Sequence, residues 1–177
     1  MDDRSRKDAL VESVLQGRGL FMRYLGGFDD SNYRRTAENL PNHVAWTLGH
    51  CALTMHRAAE RIDGISRLDD AFIPGAATGD ARRYGTESIA FGSNPRVGEP
   101  VYPPYARCVS IFSEATERLA DSLRRMEESH LDVAVTLPGG TALPRWMLPA
   151  RIIFHNGHHC GQIADLRRAL GMKPVLS

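Results

Sequence analysis

The apolar residues of this chain recur at steps of three and four in four separate stretches, the spacing that lines them along one side of an α-helix. In the first stretch Leu10, Val14, Gly17, Phe21, Tyr24 and Phe28 form the stripe. Asp2 and Asp3 precede it, where a helix N-terminus favours negative charge, and Gly26 and Gly27 weaken its end. The second runs from about Asn42 to Ile62 through Val44, Leu48, Cys51, Met55 and Ala58, with Asn42 as the expected N-cap and Gly64 as the expected stop. "YPPY" opens the third, with Pro103 or Pro104 in its first turn. Its stripe is Tyr105, Cys108, Phe112, Ala115, Leu119, Ser122 and Met126. The fourth runs from Pro149 to Leu170. Proline is awkward inside a helix, so the helix is expected to start there and "LPRWML" to form a separate turn. Arg167 and Arg168 sit in its last turn, ahead of Gly171 and Pro174.

Two connections stand out. Residues 64–104 are rich in Gly and Pro and too long for a simple turn, so they read as a crossover between helices 2 and 3. In residues 131–144, Leu131, Val133, Val135 and Leu137 alternate ahead of Gly139-Gly140, the pattern of a small β-hairpin. The 177 residues suit one domain, 1–177, with a real core. Four amphipathic helices with one long crossover predict an all-α fold, a four-helix bundle; an irregular α domain is the alternative.

Composition excludes several function classes. The net charge of +1 leaves no electrostatic footprint for nucleic acid. No apolar run approaches the length of a membrane span, and "MDDRSRKDAL" lacks the apolar run of a secretory signal. Cys51, Cys108 and Cys160 are odd in number and far apart, which argues for a reducing, cytoplasmic setting without a disulfide framework.

The fourth helix carries "FHNGHHCGQIADLRRALG". On its wheel the inward seam passes through Ile152, His155, His159, Gln162 or Ile163, Leu166 and Leu170, so two imidazoles occupy positions where apolar residues belong. An unpartnered buried imidazole costs roughly a few kcal/mol, so something must satisfy both rings. Residues i and i+4 are neighbours on a helix face, so the two rings can converge on one metal ion or be satisfied by hydrogen bonds alone. His158 lies on the neighbouring edge. Helix 2 offers the third ligand in "HVAWTLGHCALTMH": His50 borders the inward stripe and leads, His43 is second, and His56 faces elsewhere. Three nitrogen donors from two helices leave a coordination position open, the mark of a catalytic rather than a structural site. Cys51 and Cys160 each follow a candidate ligand but point about 100° away from it. Gln162 reads as a polar edge residue ahead of a group that binds a ligand or substrate, Asp165 as a surface charge ahead of an acceptor for a ligand histidine, and Glu114 and Glu117 as surface charges. Trp46, Trp146 and Tyr105 read as core or pocket wall.

"WTLGH" at Trp46–His50, followed far downstream by "HNGHHCGQIADLRRALG", resembles the DinB-like superfamily, four-helix bundles with a three-histidine metal site. The resemblance assigns the ligands to His50, His155 and His159. It also implies a divalent ion, Zn²⁺ or Ni²⁺, and a low-molecular-weight thiol as co-substrate. Cys160 departs from the pattern, which more often has a basic or polar residue there. The expected activity is a metal-dependent transfer of a thiol to a small molecule, or metal-assisted hydrolysis; a non-catalytic binding module is the alternative. A homodimer is the expected assembly.

Overall fold

The computed structural model describes residues 5–66, 70–76, 80–95 and 102–175. Asp2 and Asp3 lie outside them. Four long helices dominate: α1 (Arg6–Tyr24), α2 (Val44–Asp63), α3 (Tyr105–Arg125) and α4 (Met147–Ala169). α1 and α2 each pack on both α3 and α4, so the four stripes meet in one core and the chain is a bundle. Phe21 stacks against Phe112 at 4.7 Å, one of the contacts that join α1 to α3.

Helix ends follow local chemistry, with three departures from the sequence reading. The N-cap of α2 is His43 and not Asn42: the His43 Nδ1 accepts from the backbone N–H of Trp46 at 3.1 Å. An imidazole nitrogen thereby does the work of a side-chain oxygen. Gly64 ends α2 in the left-handed conformation, φ 73°, as expected. α4 begins at Met147, two residues ahead of Pro149. The proline falls in the first turn, where backbone N–H groups have no intrahelical acceptor, so its missing donor costs nothing there. Pro103 and Pro104 stand just before α3 rather than inside it. Near the other end of α4, the buried Arg167 donates to the backbone carbonyls of Tyr24, Gly26 and Lys173, which ties the end of α1 to the end of α4.

The hairpin is present but shorter than its alternation suggested. β3 (Ala134–Thr136) pairs antiparallel with β4 (Ala142–Pro144), and Gly139 and Gly140 turn between them with positive φ. Leu131 is fully buried in the short 3₁₀ segment ahead of the hairpin, whereas Val133 is exposed. In the crossover, β1 (Phe72–Ile73) pairs in parallel with β2 (Tyr84–Gly85). This segment lies against α2, which is why α2 is buried on nearly every side and not on a single stripe. The Tyr84 ring is fully buried, and its hydroxyl donates to the Ala45 carbonyl at 2.9 Å. A Cβ on Gly49 would come within 2.6 Å of that ring, so the glycine of "WTLGH" is the residue that lets the crossover close on α2.

Among the described residues no helix is long and apolar enough to cross a membrane. The three cysteines are free.

Candidate metal centre

α2 and α4 run antiparallel at the site: Asn42 meets Gln162 at one end, and His50 meets His155 further along. His50, His155 and His159 come together there. One ring nitrogen from each lies within 4.8 Å of the others. The Nε2 atoms of His50 and His155 are 3.1 Å apart. A tetrahedron with zinc–nitrogen bonds of about 2.0–2.1 Å has edges of about 3.3 Å, so this spacing fits a shared ion.

The other ring nitrogens are already committed. His50 Nδ1 lies 2.8 Å from the Ile89 carbonyl. A carbonyl only accepts, so Nδ1 carries the proton and Nε2 presents a lone pair. His155 Nδ1 faces Asn156 Oδ1 at 3.3 Å, while the Asn156 amide nitrogen donates to Met55 Sδ. That orientation again puts the proton on Nδ1. His159 Nδ1 donates to Gln162 Oε1 at 2.9 Å, and Asn42 donates to the same oxygen at 3.3 Å. In all three rings the outer nitrogen is the donor, and the inner lone pairs face one another. Lone pairs at 3.1 Å repel unless a cation stands between them, and the donor set of three neutral imidazoles suits a borderline divalent metal.

A proton is a poor substitute for that cation. Burial disfavours the charged form of each ring and lowers its pKa below 6.5; for His50 and His155 this is the largest cause. His159 is lowered to about 4, first by burial and then by the neighbouring His155. The rings are therefore held neutral, the state that ligates metal.

Trp46 is the wall of this site. Its indole stacks on His50 at 4.6 Å and meets His159 edge-on at 5.9 Å, while its Nε1–H donates to Ser93 Oγ at 2.9 Å. Ser93 and Ile89 both belong to the crossover, so that segment orients a ring it does not itself contain. The runner-up histidines lie elsewhere. His43 caps α2 and packs edge-on against Tyr102, and His56 packs edge-on against Phe72. His158 is exposed and receives a hydrogen bond from the Gln162 amide at 3.1 Å. Cys51 is buried, which raises its thiol pKa well above 9; Cys160 is half-buried and raised by burial to about 11. Neither joins the cluster, as their helix angles required. Glu114 and Glu117 pair with Arg107 and Arg18, and Asp165 with Arg168.

A cavity of about 680 Å³ opens beside His155, between α2, α4 and the β3–β4 turn. Of the three clustered histidines, His155 lines it.

Residues 14–163 match the DinB superfamily. The chain belongs to the DinB superfamily. Its bundle also resembles two solved structures. One, described as a conserved protein from Enterococcus faecalis, has a TM-score of 0.71 at 13% identity, covering 95% of this chain and 99% of that one. The other is the H52A mutant of a mycothiol-dependent maleylpyruvate isomerase, with a TM-score of 0.60 at 15% identity. The match covers 89% of this DinB-superfamily chain but only 60% of the isomerase. At these identities the likeness shows the fold. No curated protein matches the chain in sequence.

The sequence reading favoured a polar edge for Gln162 over a ligand- or substrate-binding role; in the structure it accepts the Nδ1 proton of His159. Its position three residues after His159, on the same helix face, was the available signal. Partners that fix a ligand ring typically change metal affinity 10- to 100-fold when removed. Gln162→Ala should therefore weaken zinc binding about tenfold, measured by competition with a chromogenic chelator. Gln162→Glu, which keeps an acceptor, should restore most of it.

Proposed function

We propose that this DinB-superfamily protein is a metal-dependent enzyme that transfers a low-molecular-weight thiol to a small electrophile, with His50, His155 and His159 holding Zn²⁺ or Ni²⁺. The observation that carries this reading is the set of inward lone pairs, each fixed by an outer hydrogen bond to Ile89, Asn156 or Gln162. Three protein donors leave room for a further ligand. A divalent ion bound there supplies Lewis acidity, which lowers the pKa of a thiol or water it holds and makes a nucleophile near neutral pH.

The chain's own residues supply orientation and access. Ile89, Asn156 and Gln162 keep the ring protons on the outer nitrogens. Trp46 shields one side of the cluster from water, and the cavity beside His155 admits the reactants from the other. The fold shared with a mycothiol-dependent isomerase supports a thiol as the co-substrate.

The test begins with untagged protein and its metal content. Loaded with zinc or nickel, it should catalyse S-conjugation of one of a panel of small thiols to a chromogenic electrophile, and a chelator should abolish the rate. Metal below about a tenth of an equivalent, with no uptake of added zinc or nickel, would overturn the proposal. Full loading with no turnover on any thiol would leave a metal-binding module.

A further inference from the structure

The faces that carry the histidines continue into arginines. On α2, His50, Thr54, Arg57 and Arg61 follow steps of four, three and four along one face. On α4, Arg151 stands one turn before His155. Because the helices are antiparallel, these two runs face each other, and all three arginines line the cavity beside His155. Among the described residues no carboxylate lines it. Among the described residues none of the three arginines is in an ion pair; Arg61 donates to the Arg57 carbonyl, a contact that leaves its charge uncompensated. Three other arginines that cross between elements have acidic partners. Arg118 pairs with Asp63, Arg18 with Glu117 and Arg6 with Asp132. Arg57 is close enough to the histidines for its charge to help hold His50 neutral. Phe154, 78% exposed, stands at the same cavity as an uncovered apolar surface.

Three unpaired guanidinium groups around one cavity raise the local concentration of anions and match the planar fork of carboxylate or phosphate oxygens. We propose that this cavity binds the acidic end of an elongated, multiply anionic small molecule, through Arg57, Arg61 and Arg151, with the other end directed at the histidine cluster. Along α2, Arg57 and Arg61 lie roughly 10 and 16 Å beyond His50 at 1.5 Å per residue. The ligand therefore carries its carboxylates or phosphates about that far from its reacting atom. The position of the reacting end rests on the proposed metal reading; the anion site does not.

The probes are tricarballylate, its neutral trimethyl ester and glycerol 3-phosphate, titrated calorimetrically into the full chain with zinc and after zinc removal. The wild type should bind at least one of the two anions about tenfold or more tightly than the ester, with an affinity that falls as salt rises. The tighter of the two identifies carboxylate or phosphate as the recognised group. Arg57→Gln/Arg61→Gln/Arg151→Gln should lose the preference while its circular dichroism and zinc content stay at wild-type values. Equal binding of ester and anions by the wild type, or undiminished anion binding in the triple variant, would overturn the proposal. Anion preference in a protein that takes up no metal upholds the arginine site and sinks the metal reading alone. Metal uptake without anion preference does the reverse.

Discussion

His155→Ala should reduce zinc affinity by at least about 100-fold, whereas His158→Ala should change it by less than about threefold. The two residues stand three apart on α4, in the same histidine-rich run, so composition does not separate them. Geometry does. His155 Nε2 is 3.1 Å from His50 Nε2 and its ring is 4.6 Å from that of His159, while His158 is exposed and receives a hydrogen bond from Gln162. Losing an outer partner of a ligand ring costs 10- to 100-fold, and losing the donor itself costs more. His155 is only partly buried, so its truncation leaves the bundle folded and the loss is read on intact protein. The measurement is competitive zinc titration of the untagged wild type and both variants. Equal retention in the two variants would overturn the ligand assignment.

The triad was legible in the sequence because helices have a fixed period. The stripe Ile152–Leu166 turned His155 and His159 inward, and His50, bordering the stripe Val44–Ile62, led His43 on the wheel before the family resemblance chose it. What escaped was everything fixed by the crossover. The acceptor for His50 is the carbonyl of Ile89, a backbone group that every residue possesses and that no side-chain pattern marks. Ser93, which holds the Trp46 indole, lies in the same unpatterned segment. His43 ranked second as a ligand because the wheel treats every position as helical; it stands one residue before α2 and spends its Nδ1 on the cap. The arginine-lined cavity was invisible for another reason. Arg57, Arg61 and Arg151 look like ordinary solvated charges until the antiparallel pairing of α2 and α4 brings them around one space.

Metal-free protein should lose stability steeply as pH falls from 7 to 5. His56 and His159 are the clearest contributors. Each is buried, and burial is the first cause that lowers its pKa from 6.5 to about 4. The unfolded chain keeps the ordinary value, so between pH 6.5 and 4 it binds more protons than the folded chain. Stability then rises with pH across that window. The contribution is complete above pH 6.5 and is lost as pH drops toward 4. At pH 5 the two groups together cost on the order of 3 kcal/mol relative to pH 7. In a chain of this size that corresponds to about 10 °C in Tm. The carboxylates paired with arginines, such as Asp132 with Arg6, are held below the usual carboxylate range and titrate lower still. Zinc should raise the Tm most at pH 7 and steepen the profile, because bound imidazoles take up no protons in the folded chain while those of the unfolded chain still do. His56 lies outside the cluster and separates the two effects. His56→Leu, which fills the space against Phe72 with an apolar group, should remove about half of the metal-free slope and leave zinc uptake unchanged. Thermal unfolding of both proteins with and without zinc, at half-unit steps, makes the comparison. A Tm for the metal-free wild type that is flat or rising from pH 7 to 5 would show that these rings are not held neutral by burial. The neutral donor set inferred for the centre would then lose its basis.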